Sequence, residues 1–250
     1  MNLRFSIITV CYNAEQTIFR LLDSVNQQSY NNIEHIIIDG SSNDGTLEII
    51  KENISRFGLL ISESDKGIYN AMNKGLRYAT GDVIAFLNAD DFYYNNKVIE
   101  DVNSYFTKDI KIVYGNIKYY NNKKNKPSRR FFSPGEYKKN MYLQGWHAPH
   151  PAFFCHKSCF EKYGGFNENL EVSSDFELMF RFQEIYKASS IYLNQTITYM
   201  SNDGVSSKLS SIIKGNLNII KAFKINNKKV FIPLYITKRL FPKIINYLSN

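Results

Sequence analysis

Phe5-Ser-Ile-Ile-Thr-Val10 is a short, apolar, β-branched run that leads straight into Cys11-Tyr-Asn13. It reads as a buried strand. Ile18, Leu21, Leu22 and Val25 then recur at i, i+3, i+4 and i+7, the apolar stripe of a helix covering that strand. Outward from this unit the alternation repeats. Ile33 to Ile38 is a second strand ending at Asp39-Gly40-Ser41, Thr46 to Ile54 a helix, and Leu59 to Ile61 a third strand. Tyr69 to Ala79 is a helix closed by Thr80-Gly81, and Val83 to Leu87 is a fourth strand. Val98 to Phe106 is a helix and Ile112 to Tyr114 a fifth strand. Strands alternating with helices of this length predict right-handed crossovers and a parallel sheet, with ligands at the carboxyl ends of the strands.

Polar residues gather at those ends: Thr9-Val-Cys-Tyr-Asn13, Asp39-Gly-Ser-Ser-Asn-Asp-Gly45 and Asn88-Ala-Asp-Asp91. Asp39-Gly40 and Asp44-Gly45 taken singly are ordinary turn dipeptides. Three such ends converging on one crevice point instead to a polar ligand. Asp90 and Asp91 are adjacent carboxylates, whose repulsion is tolerated mainly when a cation neutralises it. Their hard oxygens suit Mg²⁺ or Mn²⁺; an N-cap pair opening the next helix is the competing reading. Neither a Gly-x-Gly-x-x-Gly loop nor a P-loop is present, which argues against dinucleotide oxidoreductases and P-loop NTPases. Phosphate binding then falls to a metal and to basic side chains, of which Lys66 and Lys74 are available. Asp175 opens a helix over Phe176 to Tyr186, as a general base or as a helix cap. The run Gln144-Gly-Trp-His-Ala-Pro-His-Pro151 offers Trp146, His147 and His150 for an acceptor, although a lone Trp is more often core. Cys155, His156 and Cys159 lack a second ligand pair, so zinc is not expected.

With 44% hydrophobic and 15% aromatic residues, the 250-residue chain is globular, and its length favours one α/β domain with an appendage. No apolar stretch reaches 18 residues and no secretory signal is read at the N-terminus. Three cysteines read as free thiols in a reducing cytoplasm. Lys118 to Arg130 reads as a basic, mobile loop. The net charge of +8 is concentrated at one end: residues 204–250 hold nine of the 31 basic residues and none of the 23 acidic ones. Apolar clusters alternate with those lysines and arginines, from Ile212 to Ile245. This predicts a basic amphipathic tail, broken by Pro233 and Pro242, lying on a membrane surface; packing on the domain is the alternative. The tail contains no recognised nucleic-acid-binding module.

The chain resembles the inverting glycosyltransferases of family 2, which have the GT-A fold. The resemblance runs from Phe5 to about Tyr199. It rests on Ser6–Asn13, Ile38–Thr46, Glu63–Gly75, Ala79–Asp82 and Phe86–Asp91, and continues through His150–Phe154, Gly164–Glu168 and Ser174-Asp175. It implies a catalytic domain over 1–203, with a nucleotide-binding half to about 115 and an acceptor-binding half over 116–203, then a tail over 204–250. By resemblance Thr9, Tyr12, Asn13, Asp39 and Ser41 line the nucleotide pocket, and Asp65, Lys66 and Lys74 help close it. Asn88, Ala89 and Asp90 touch the nucleotide sugar, Asp90 with Asp91 holds Mn²⁺ or Mg²⁺, and Asp175 is the catalytic base. Two departures stand out: Asn88 replaces the first Asp of the family's Asp-x-Asp motif, and Ser174 precedes Asp175 where the family has an acid.

The implied activity moves a hexose or N-acetylhexosamine from a UDP-type donor to a saccharide or polyprenyl-linked acceptor in surface-polysaccharide synthesis. The enzyme would work in the cytoplasm, peripheral on the inner face of the membrane. A nucleotidyltransferase and a nucleotide-sugar-binding module impaired through Asn88 are the competing readings. The sugar, the linkage and the oligomeric state are not legible.

Overall fold

The computed structural model describes residues 2–55, 58–202, 209–233 and 235–239. Its first half follows the periodicity closely: β1 (Phe5–Cys11), α1 (Ile18–Asn26), β2 (Ile33–Asp39), α2 (Thr46–Asn53), β3 (Gly58–Ser62), α3 (Ile68–Tyr78) and β4 (Val83–Phe86). The four strands pair in parallel in the order β3-β2-β1-β4. All seven residues of β1 are buried, because both faces of the sheet are covered. Ile8 and Val10 pack in one hydrophobic layer with α3, while Phe5, Ile7 and Cys11 pack in the other with α1. Ile18, Leu21, Leu22 and Val25 are the buried face of α1, as their spacing predicts.

Beyond β4 antiparallel pairs join the sheet, which is mixed there and parallel over the first four strands. The remaining elements are β5 (Phe92–Tyr93), α4 (Val98–Tyr105), β6 (Ile112–Asn121), β7 (Lys126–Phe132), β8 (Phe153–His156), α5 (Lys157–Tyr163), α6 (Ser174–Phe180), β9 (Ser190–Ser201) and α7 (Leu209–Ile225). β8 enters antiparallel between β4 and β6, β9 runs parallel to β6, and β5 closes antiparallel on β9. The basic segment Lys118 to Arg130 is not a loop but most of a β-hairpin, β6 paired with β7. Asn125 takes the positive φ of 46° that its turn requires. Among the described residues β7 pairs with β6 alone, and its exposed Lys126, Arg129 and Arg130 suit an edge that must not recruit another strand.

The amino ends of the strands are tied by one carboxylate. Glu34 is only 7% exposed and accepts from the Ser6 hydroxyl (2.5 Å), the Thr80 N–H (2.6 Å) and hydroxyl (2.7 Å), and the Gly81 N–H (3.0 Å), with Arg4 at 2.9 Å. Burial alone would raise its pKa, but these donors outweigh it and hold the carboxyl below its ordinary 4.5. A depressed folded pKa means that this stabilisation is complete above about pH 4.5 and is lost as the pH falls through the folded value. Glu34→Gln should therefore lower the melting temperature at pH 7 and flatten the acid limb of stability below pH 4.5. Thermal melts of both proteins from pH 3 to 7 check this.

The described part of the expected tail packs on the domain. Ile219, Ala222 and Phe223 are buried, and Phe223 stands edge-on to Phe176 (5.8 Å), Phe180 (5.1 Å) and Tyr235 (5.1 Å). Lys208 and the stretch from Leu240 through Pro242, Lys243 and Ile245 lie outside the described residues. Among the described residues no helix is long and apolar enough to cross a membrane.

Candidate active site

The carboxyl ends of β1, β2 and β4 open on one side of the sheet. The loop after β2 is stitched to the end of β1. Asn13, at a positive φ of 49°, accepts from the Asn43 N–H through Oδ1 (3.0 Å), and its own N–H donates to the Ser42 hydroxyl (2.8 Å). Asp39 is fully buried and accepts from the Ser42 N–H (3.0 Å) and from the hydroxyls of Ser42 (2.5 Å) and Ser62 (2.7 Å). As folded, Asp39 shapes the loop and does not present an open carboxylate to a ligand. The accessible wall is made by its neighbours. Tyr12 is 62% exposed, Ser41 sits exposed at φ 62°, and Asp65 leans over Gly40. A Cβ on Gly40 would lie 2.7 Å from the Asp65 carboxylate, so a larger residue there would displace that side chain. Asp65 in turn accepts from the Gly67 N–H (2.7 Å).

Two residues expected in the pocket are elsewhere engaged. Thr9 is fully buried with its hydroxyl 2.9 Å from His35 Nε2, inside the sheet and away from the crevice. Lys74 is 9% exposed and is held by Glu63 (2.8 Å) and the Ser64 carbonyl (2.7 Å). It fixes the 63–67 segment and is not a free phosphate clamp. Lys66 remains exposed on that segment.

At the end of β4 the acidic pair is split. The Asp91 N–H donates to the Asn88 carbonyl (2.9 Å), forming a tight turn in which the two acids differ in burial. Asp91 is 2% exposed and accepts from the Ser201 N–H (3.0 Å) at the end of β9. Burial first, and the Asp90 charge second, push its carboxyl well above the usual range. Asp91 is thus an anchor for β9, which corrects its assignment as a metal ligand. Asp90 is half-buried beside Ala89, and Asn88 Oδ1 is shielded from solvent with no donor among the described residues. A buried acceptor without a donor is costly, and a cation would satisfy it. Asp90 and Asn88 Oδ1 fit Mg²⁺ or Mn²⁺, which take one or two protein oxygens and leave the rest to phosphate and water. No group of three or more His, Cys, Asp or Glu among the described residues could hold an ion by itself.

The third part lies where α3 meets α6. Asp175 is half-buried in the first turn of α6 and accepts from the Tyr69 hydroxyl (3.1 Å) through Oδ1. The Tyr69 ring stacks on Phe166 (5.5 Å), Phe166 meets Phe86 edge-on (4.9 Å), and His150 stacks on Phe86 (5.7 Å). His150 Nε2 is shielded and has no hydrogen-bond partner among the described residues. Burial lowers the His150 pKa, against the opposing pull of the Asp175 charge. Of the other expected acceptor residues, Trp146 is core: its indole N–H donates to the Pro134 carbonyl (2.6 Å) and its ring packs edge-on to Tyr142 (5.0 Å) and Tyr114 (5.9 Å). His147 packs at a tilt against Phe132 (5.5 Å), apart from the aromatic group around His150. Tyr69 was not among the expected site residues. Its place within the Glu63–Gly75 motif, in the first turn of α3 and four residues after Asp65, is the signal that could have found it.

Known proteins resemble this chain in sequence and in fold. The family described as Glycosyl transferase family 2 matches residues 6–163. The Escherichia coli UDP-Glc:alpha-D-GlcNAc-diphosphoundecaprenol beta-1,3-glucosyltransferase WfgD is 36% identical over 140 residues, covering 56% of this chain and 54% of that protein. The match thus spans about half the length of that relative. A PGL/p-HBAD biosynthesis glycosyltransferase of Mycobacterium bovis is 28% identical over 182 residues, 71% of this chain and 68% of that protein. Among solved structures, S. aureus TarS in complex with UDP aligns with a TM-score of 0.66 at 16% identity, covering 94% of this chain and 69% of that one. The mannosyltransferase PcManGT of Pyrobaculum calidifontis, in complex with GDP-Man and Mn²⁺, aligns with a TM-score of 0.67 at 17% identity, covering 95% and 69%. These structural likenesses concern the fold, whose curled mixed sheet is that of GT-A glycosyltransferases. With the family match extending over more than half its residues, this chain belongs to glycosyl transferase family 2.

Proposed function

We propose that the chain is a glycosyltransferase that moves a hexose or N-acetylhexosamine from a nucleotide-diphosphate sugar, UDP-linked, to a saccharide or lipid-linked acceptor, with inversion. The observation that carries this reading is Asp175, a half-buried carboxylate held by Tyr69, whose ring joins through Phe166 to Phe86 at the end of β4. The base and sugar lie against the wall of Tyr12, Ser41 and Asp65. Asp90 and Asn88 Oδ1 would hold a divalent cation, which would supply charge neutralisation for the departing diphosphate. Asp175 takes the proton of an acceptor hydroxyl, whose oxygen bonds to the anomeric carbon as the bond to the diphosphate oxygen breaks. A single displacement needs no covalent enzyme nucleophile. WfgD is named for a diphosphoundecaprenol acceptor, and this supports a lipid-linked acceptor here. The test is a thermal-shift panel of nucleotide sugars with Mn²⁺. Stabilisation by at least one donor is expected; no shift with any of them contradicts the reading.

The carboxyl-terminal region is the part suited to bring the enzyme to the inner face of the membrane. Although α7 buries one face, Ile213 (58%), Leu217 (61%), Ile225 (46%) and Phe231 (71%) remain exposed beside Lys214, Lys221, Lys224 and Lys229. Apolar burial plus attraction to anionic headgroups, about 1 kcal/mol per basic residue near the surface, favours adsorption of such a face. Sedimentation with anionic liposomes at low salt should pellet the full chain, and Leu217→Glu/Phe231→Glu should leave it in the supernatant. Equal pelleting of both proteins contradicts a membrane role for this face.

A further inference from the structure

We infer that Tyr69 is a positioning residue for Asp175, holding one carboxylate oxygen so that the other faces the acceptor hydroxyl. The inference rests on the reading of Asp175 as the base and adds to it the residue that orients it. Asp175 Oδ1 is the oxygen bonded to the Tyr69 hydroxyl at 3.1 Å, and Oδ2 has no hydrogen-bond donor among the described residues. A carboxylate gripped at one oxygen loses its rotation about the Cβ–Cγ bond, which fixes the direction of proton uptake.

Tyr69 is itself immobilised. Its ring stacks on Phe166, and α3 is pinned to the 166–168 segment by Asn73 (to the Phe166 carbonyl at 3.0 Å and to Glu168 at 2.7 Å) and by Asn70 (to Glu168 at 2.9 Å). Burial, reinforced by the Asp175 charge, pushes the Tyr69 phenol well above its ordinary value, so it is a donor at every working pH. The competing explanation is that the pair merely satisfies two polar groups between packed helices. Against it, two further polar atoms around the same carboxylate are shielded and unpartnered: His150 Nε2 and Ser174 Oγ. A cluster built only for stability would not leave both of them empty next to a half-buried acid, whereas a reactant hydroxyl gives them partners.

The charges around Asp175 are accounted for. Tyr69 faces it from α3 and His150 from the 150–152 turn. On α6 itself Glu177 is neutralised by Arg181 (2.9 Å) and receives Asn226 (2.9 Å) from the residues following α7. Arg239 lies over the Phe176 ring (5.6 Å).

The test is Tyr69→Phe in the full chain, assayed with the donor that gives the thermal shift. Removing the hydroxyl keeps the ring on Phe166 and takes from the carboxylate the one side chain that orients it. The expected result is a kcat lower by about ten- to a hundred-fold, unchanged donor affinity, and an altered acidic limb of the kcat–pH profile. Phe166→Leu serves as a packing control that keeps the hydroxyl; it should lower the melting temperature without altering that limb. If Tyr69→Phe keeps the wild-type kcat and pH profile while Asp175→Asn is inactive, the inference about Tyr69 is overturned and the base reading stands. If Asp175→Asn is active, both fall. If Phe166→Leu alters the limb as far as Tyr69→Phe does, packing and not the hydroxyl sets the base, and the inference is again overturned.

Discussion

Asp175→Asn should reduce turnover by about 10³-fold while leaving donor affinity and the melting temperature close to those of the parent, since general-base catalysis contributes about 10²–10⁴ in rate. The amide keeps the size of the carboxylate and its Oδ1 can still accept from Tyr69, so the packing between α3 and α6 survives. It cannot take a proton. Glu177 cannot substitute for it, being only 2% exposed and committed to Arg181. Steady-state kinetics alongside donor calorimetry separate the two effects. Retention of turnover within tenfold of the parent would return Asp175 to the role of a residue that only tidies the start of a helix.

Asp90→Ala should be nearly as damaging, by a different route. Losing the one ionised protein ligand forfeits most of the charge neutralisation that the cation gives the leaving diphosphate. At about 1.4 kcal/mol per factor of ten, a loss of several kcal/mol is about 10³-fold or more in rate. Exhaustive treatment with EDTA should reproduce the loss in the parent, and Mn²⁺ or Mg²⁺ should restore the parent but not the variant. The neighbouring residue supplies the contrast. Asp91→Ala leaves the Ser201 N–H buried without its acceptor, at about 1–3 kcal/mol, so it should lower the melting temperature where Asp90→Ala does not. Full activity of Asp90→Ala, or of the metal-stripped parent, contradicts the metal reading. Two adjacent acids with opposite phenotypes would bear out the split seen at the β4 turn.

That split shows where the sequence stops being readable. From Phe5 to Phe106 the elements other than β5 follow from periodicity, because strands covered on both faces must be apolar throughout and helices covering them must carry a stripe. β1 and α1 are the clearest instances. The strand ends and their polar residues are likewise legible as a crevice. What the pattern lacks is side-chain direction. Asp90 and Asp91 are equivalent in sequence, and only the turn from Asn88, with Ser201 110 residues after Asp91, decides which is buried. Lys74 looks available for phosphate until Glu63 and Ser64 are folded against it. Thr9 looks like a pocket residue until His35 claims its hydroxyl. Trp146 looks like a sugar platform until Pro134 and Tyr142 enclose it.

The second half of the sheet was hidden for another reason. β7 is an exposed edge whose charges mask its strand pattern, and β8 is a four-residue strand after a Pro-rich turn. The twelve residues of β9 are mostly half-exposed, so they carry neither a clean alternation nor an apolar run. The tail was read as an appendage from its charge. The apolar positions that seat it, Ile219, Ala222 and Phe223, obey the same helical spacing as any core helix.

The central claim is that this site breaks the bond between a sugar and a diphosphate, and the nucleotide product tests it most directly. The full chain is incubated with Mn²⁺, a panel of UDP- and GDP-sugars, and a polyprenyl diphosphate-linked N-acetylglucosamine acceptor, and the products are read by mass. The account predicts one nucleoside diphosphate released for each sugar residue gained by the acceptor, with neither formed by Asp175→Asn. Release of nucleoside monophosphate with a sugar phosphate, or no product from any donor that shifts the melting temperature, would contradict it.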